Sequence, residues 1–275
     1  MSIRINVDPT NPGQFFACCG LLELADRLYG NAKGYFEGHE FCIAGGGTLK
    51  DLLTAAKSVR FHETEDADQE DEGEDADSDI DDAIQPLEIV APIQFRLDWW
   101  QDKSLKTWAG SMKVHLIAAA MCHAIDPENS DPFGQGQVVY DPPQLASEGV
   151  ARKRKPKTKK REPFCFDSRR GMNSHSIDVG FSPNDLKLTT TAFPVVEFLS
   201  LVGLQRCRPT PTNQPRVFTY CTWSWPCCPS LLPSTMNGFI EDPLAKCYRF
   251  ENGFRSGQKK HKAYRSAVPI PKETD

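Results

Sequence analysis

The chain has 275 residues, 39% hydrophobic and 25% charged, enough for one large or two small domains with a real core, and one domain spanning 1–275 is expected. No apolar run approaches the ~20 residues of a membrane span, and Met1 opens a polar SIRINVDP stretch instead of a basic region followed by an apolar block, so no membrane partner and a cytosolic location are predicted. The formal net charge of −5 hides two opposed runs: residues 63–82 hold 13 acids and no base, and residues 152–161 (RKRKPKTKKR) hold eight bases and no acid.

Without both runs the remaining charges balance, so any claim of nucleic-acid contact rests on where charges cluster. The acidic run, 63–82, cannot bury enough apolar surface to offset its ordering entropy and reads as a disordered insertion. The basic run lies in a Pro-, Gly- and Lys-rich stretch, and 149–162 reads as a mobile loop. Ten scattered cysteines without a leader read as reduced thiols with no disulfide framework.

Taken in chain order, Ile3 to Val7 alternates with period two and predicts a strand, closed by the Asp8-Pro9 and Asn11-Pro12-Gly13 turns. A helix follows from Gln14, with Phe15, Phe16, Cys19, Leu22, Ala25 and Leu28 apolar and Gly30-Asn31 stopping it. Residues 34–44 form a hairpin turning near Glu37-Gly38, and Gly45-Gly46-Gly47 leads into a helix over 48–58. Residues 86–99 read as a strand with Ile93, Phe95 and Leu97 on one face and Arg96 on the other. A helix capped by Asp102 or Ser104 is predicted to run to Ala124, with Leu105, Trp108, Met112, Leu116 and Ala119 on its buried stripe.

Residues 164–167 look like a returning strand. Pro194 suits the first turn of a helix to Gln205 that is apolar on nearly every face and therefore deeply buried. Residues 216–225, 248–254 and 258–264 have β character. The irregular alternation predicts an α+β fold with a mixed or antiparallel sheet.

Several segments carry a family resemblance: NVDPTNPGQFFACCGLLELADRL at 6–28, FRLDWW at 95–100, SLKTWAG at 104–110, FDSRRG at 166–171 with SIDVGFSP at 176–183, VEFLSLVGLQR at 196–206 and YRFENGFRSGQKKHKAY at 248–264. Together they resemble the third Csb family of type I-U (now I-G) CRISPR systems. The resemblance implies a subunit of a Cascade-like, crRNA-guided DNA surveillance complex in antiviral defence, with crRNA, target DNA, other Csb or Cas subunits and the helicase-nuclease as partners. Two roles follow from it, a RAMP-type backbone protein with a ferredoxin-like sheet or a compact large-subunit equivalent, and the second is favoured. The alternative is a metal-independent RAMP-type endoribonuclease that processes CRISPR RNA.

The residues offer their own candidates. Residues 246–265 carry seven bases, including Arg249, Arg255, Lys259, Lys260 and Lys262, against the single acid Glu251, interleaved with aromatics and His261. Such a mixture suits phosphate neutralisation and base stacking, although charge runs are more often solvated faces. Arg169 and Arg170 follow a predicted strand, and a guanidinium fork can grip a phosphate or guanine, the plain alternative being a pair with Asp167 or Asp178. Trp99 and Trp100, adjacent on a predicted strand, point to opposite faces, which makes Trp100 a candidate exposed contact beside Arg96, Lys103 and Lys106.

His175 and His261 are the histidines that stand among bases, where a ribonuclease would need a converging pair. Cysteine spacing lacks CxxC, so no metal and no cofactor are expected. The Gly45-Gly46-Gly47-Thr48 run lacks the order of a phosphate loop.

Overall fold

In the computed structural model, the described residues are 2–62, 85–109, 112–142, 159–169, 191–255 and 261–271. The acidic run at 63–82, residues 149–158 of the basic loop, and Arg170, His175, Lys259 and Lys260 lie outside them.

Strand β1 (Ser2–Asn6) leads into α1 (Pro12–Tyr29), whose ends are fixed by local chemistry. The Asn11 side chain accepts from the Gly13 N–H at 3.1 Å, and Pro12 sits in the first turn where its missing N–H costs nothing. At the far end Gly30 takes φ +84°, the left-handed conformation that glycine tolerates, and its N–H returns to Asp26 O. The helix is buried from Pro12 to Ala25.

It packs on α4 (Pro194–Arg206), which is buried on every face from Pro194 to Leu204, as its unbroken apolar pattern predicts. Gly20 of α1 lies against the Leu199 carbonyl and Gly203 of α4 against the Phe16 carbonyl, so the two backbones touch where they cross. Glu23, buried on α1, ties the pair together by accepting from Arg27 Nε at 2.8 Å and Arg206 Nε at 2.7 Å.

The described strands form three sheets. β1, β2 (Lys33–Glu37) and β3 (Glu40–Ala44) form the first, in the order β1-β3-β2, followed by α2 (Leu49–Lys57) with a capping box between Thr48 and Asp51. That order, with α1 between β1 and β2, is the order of the first three strands of a ferredoxin-like βαββαβ sheet. β4 (Arg60–Phe61) departs from it by pairing with β5 (Leu87–Ala91), which pairs in turn with β6 (Phe95–Leu97). α3 (Val114–His123) packs against α4.

The third sheet is built from β7 (Thr210–Pro211), β8 (Val217–Cys221), β9 (Cys247–Phe254), β10 (Lys262–Tyr264) and β11 (Val268–Ile270), with β10 and β11 sharing one side of β9. Between β8 and β9 the chain makes the short helix α5 (Leu232–Met236). Every strand pairing described is antiparallel. The chain is therefore α+β with antiparallel sheets, and most of the buried apolar side chains among the described residues belong to one cluster running from Ile3 to Ala267.

Four expectations are corrected. The single strand at 86–99 is a hairpin of β5 and β6, broken at Pro92, which has no N–H for the ladder. The helix expected from Asp102 begins only at Val114, because Asp102 Oδ1 instead accepts from the Ser104 N–H and hydroxyl and closes a turn. Residues 164–167 are buried but not a strand: the Glu197 carboxylate, in place of a ladder, accepts the Phe166 and Asp167 N–H groups at 3.2 Å.

At the end of the basic run Lys160 bridges Tyr140, and Arg161 makes a two-pronged pair with Asp141 at 2.6 and 2.8 Å. Finally, the cysteines are not all free. Cys221 and Cys247 face each other across the β8–β9 ladder and form a disulfide.

Candidate nucleic-acid interface

The basic residues of the C-terminal motif meet a second segment that is remote in sequence. The loop 102–107 is stitched onto the ends of β9 and β10 by Lys262 N–H to Thr107 O at 2.8 Å, Tyr264 OH to Leu105 O at 3.1 Å, and Asn252 Nδ2 to Ser104 O at 2.8 Å. Leu105 and Trp108 anchor it in the core, so the lysines between and before them are carried to the junction. Arg216 arrives from the other side: it precedes β8, its carbonyl accepts the Asn252 N–H at 2.8 Å, and its guanidinium lies 4.6 Å from the Phe254 ring centre.

The result is a junction where cations outnumber acids. The Lys262 amine is pushed down from its usual value to about 8 by burial and by repulsion from Arg216 and Lys106, with Asp102 opposing weakly. Burial and Lys103 lower Lys106 as well. Three buried side-chain atoms at this junction have no hydrogen-bond partner among the described residues, Arg216 Nε, Asn252 Oδ1 and Thr107 Oγ1. Arg216 also holds φ 61°, a left-handed conformation that is costly for a side chain of its kind. Crowded cations are a poor arrangement for the protein alone and a good one for an anion, which would relieve the repulsion and accept from Arg216 Nε and the Thr107 hydroxyl, whereas Asn252 Oδ1 is itself an acceptor and gains nothing from it.

The other sequence candidates are scattered. Arg255 and His261 sit beside the junction: Arg255 N–H donates to His261 O at 2.8 Å, and its guanidinium reaches Cys165 Sγ at 3.4 Å and Glu162 at 3.8 Å. Arg249 is exposed on the outer face of β9, opposite Thr219 and Val268. Arg96 is exposed on β6, in a different sheet, 3.4 Å from Asp98.

Arg169 is engaged internally. Its Nε donates to Asp167 at 2.9 Å and one terminal nitrogen to Asp167 and the Phe133 carbonyl at 2.6 Å, while its plane stacks 3.5 Å from the Phe193 centroid. Trp100 is not an exposed contact. It and Trp99 lie on the 3-10 turn Trp99–Gln101 instead of a strand, so both turn inward, and with Trp108 they make three edge-to-face contacts at 5.8 Å.

Arg216 was missed by sequence reasoning. Nothing local marks it, and it joins the site only through the register of β8 on β9. Among the described residues no group of three or more His, Cys, Asp or Glu side chains is placed to hold a metal, and no helix is long and apolar enough to cross a membrane. No family model, no curated protein and no solved structure matches the chain.

Proposed function

We propose that the chain is a non-catalytic subunit of a type I-G CRISPR surveillance complex, its large-subunit equivalent, and that it touches the crRNA or target-DNA backbone at the junction of β9, β10 and the 102–107 loop. The family resemblance supplies the system. The observation that carries the contact is the convergence of Lys106 and Arg216 on Lys262, with Asp102 the one acid acting on that amine among the described residues.

A RAMP-type backbone role is the second reading, favoured by the β1-β3-β2 order around α1. Native mass spectrometry of the assembled complex separates the two, since a large-subunit equivalent is present once and a backbone protein in several copies along the guide.

The direct test is titration of the purified chain with single-stranded RNA at stepped salt concentrations. Replacing Lys106, Arg216 and Lys262 by Ala should weaken binding and flatten log affinity against log salt by about 0.7 for each phosphate that the protein ceases to neutralise. An unchanged slope would overturn the site. Cleavage of repeat RNA by the chain alone in chelator would instead establish the metal-independent ribonuclease.

A further inference from the structure

Asn252, on β9, is 0% exposed, and most of its hydrogen-bonding groups are engaged. Its N–H donates to Arg216 O at 2.8 Å, and its Nδ2 donates to Ser104 O at 2.8 Å and Lys106 O at 3.3 Å. The two carbonyls on Nδ2 fix which end of the amide is which, because a flipped amide would set Oδ1 against both of them. Oδ1 is thereby held as an acceptor, and no donor reaches it among the described residues. A buried acceptor in that state has given up its bond to water for nothing.

Thr107 Oγ1 and Arg216 Nε are unpartnered too, and the bonds of the junction keep all three atoms in one neighbourhood. Lys106 O, one residue before Thr107, meets the Asn252 amide, and Arg216 O meets the Asn252 N–H. One acceptor and two groups that can donate therefore stand where Lys106 and Arg216 converge on the Lys262 amine.

The chemistry of this set selects a ligand. An internal phosphate of a nucleic acid is a diester that only accepts, so it serves the amines, Arg216 Nε and the Thr107 hydroxyl and leaves Asn252 Oδ1 unserved. The missing donor has to come from the sugar. An internal deoxyribose has no hydroxyl to give, whereas ribose carries the 2′-OH beside the phosphate. Thr107 is 1% exposed, and Lys106, Arg216 and Lys262 are half-buried, so a nucleotide reaches these atoms only by turning its sugar and phosphate inward. A strand stiffened by its complement cannot do so, and an unpaired one can. Its base would then lie near the Arg216 guanidinium on the Phe254 ring, the kind of surface on which unpaired bases stack.

We infer that Asn252 makes the junction selective for ribose, its Oδ1 accepting from a 2′-OH of an unpaired RNA strand. This rests on reading the junction as a nucleic-acid contact, and it turns the choice between crRNA and target DNA toward the RNA.

The full-length chain is titrated at one salt concentration with a single sequence in four forms: single-stranded RNA, its 2′-fluoro analogue, single-stranded DNA, and the RNA annealed to its complement. The fluoro strand keeps the sugar pucker and the phosphates of RNA but has no 2′ proton to donate. Wild type should bind the RNA about 10-fold more tightly than the fluoro strand or the DNA, the effect of leaving one buried acceptor unpaired. It should bind the annealed RNA more weakly than the single strand. Equal affinity for RNA and the fluoro strand, the result expected if a water molecule serves Asn252 Oδ1, overturns the inference, and salt-sensitive binding of both would leave the function reading intact. Annealed RNA bound as tightly as the single strand overturns the unpaired ligand. Asn252→Leu, similar in size and without an acceptor, should bind RNA and the fluoro strand alike, and continued discrimination by this variant overturns the role of Asn252. Because leucine also gives up two bonds to the 102–107 loop, its melting temperature is checked first, and the wild-type series decides the ribose selectivity if the variant does not fold. Absence of salt-sensitive binding to any of the four overturns the function reading and the inference with it.

Discussion

The Lys262 ammonium donates to the main-chain carbonyl of Lys103 at 2.8 Å. A neutral acceptor thus holds this amine in place where Arg216 and Lys106 repel it, and burial with that repulsion brings it down to about 8. The charge is therefore maintained at neutral pH at the expense of fold stability, which is the electrostatic condition that a bound phosphate would relieve.

The pH dependence follows. Because the folded-state value lies below the ordinary lysine value, the unfolded chain holds the Lys262 proton more tightly, and the penalty is fully present below about pH 8. It is relieved as pH rises from about 8 to the unfolded value. Relative to Lys262→Met, wild-type stability should gain on the order of 1 kcal/mol over that window, a figure reduced for the solvent reaching a half-buried amine. RNA affinity should move the other way, falling as pH rises through 8. Denaturant unfolding and RNA titration between pH 7 and 10, each with both proteins, measure the two trends, and parallel profiles for wild type and variant would remove Lys262 from the site.

Arg216→Gly separates binding from folding. Glycine accepts φ 61° without penalty, and the substitution deletes an unpartnered buried Nε and one charge acting on Lys262, while giving up the cation–π stacking on Phe254. Chemical denaturation should show stability unchanged or raised by about 1 kcal/mol, while RNA binding weakens. A variant that loses both stability and affinity would mark Arg216 as a packing residue.

The parts of the fold legible in the sequence are those set by neighbours. Asn11, Pro12 and Gly30 bracket α1 locally, and the apolar run of α4 needs no partner to be read as buried. Trp99 and Trp100 escape a local reading because their setting is remote: Gln205 Oε1 accepts the Asp98 and Trp99 N–H groups, and Trp99 Nε1 donates to Leu201 O at 2.9 Å. Lys262 is legible from the density of bases around it. Arg216 and the Cys221–Cys247 pair are not, since only the β8–β9 register brings each to its neighbours.

The disulfide has its own test. Cys221 and Cys247 are 26 residues apart, and closing a loop of that length stabilises by about 3 kcal/mol in the chain-entropy model. Cys221→Ser and Cys247→Ser should lower the unfolding free energy by up to that amount, and reductant should lower the wild type to the same level. A wild-type midpoint insensitive to reductant would show the two thiols unbridged. Among the remaining cysteines Cys228 should be alkylated first: the Ser230 hydroxyl and nearby backbone N–H groups lower its thiol and it is partly exposed, whereas burial raises Cys18, Cys122 and Cys207. Peptide mapping after brief alkylation reads the order.

The helix crossing is the most demanding point in the core. A Cβ on Gly20 would collide with the Leu199 carbonyl, and one on Gly203 with the Phe16 carbonyl; both obstacles are backbone, which cannot rotate aside as a side chain would. Moving the helices apart would loosen the Glu23–Arg206 pair and the Ser200 hydroxyl's bond to Gly13 O at 2.7 Å. Gly20→Ala and Gly203→Ala should each destabilise by about 3 kcal/mol or more, near the limit for a single overpacking change, whereas Gly30→Ala, with nothing within 4 Å of its added Cβ and only a left-handed backbone to strain, should cost about 1 kcal/mol. Thermal unfolding of the three variants gives the ranking. A Gly20→Ala protein as stable as Gly30→Ala would show that α1 and α4 do not meet backbone to backbone.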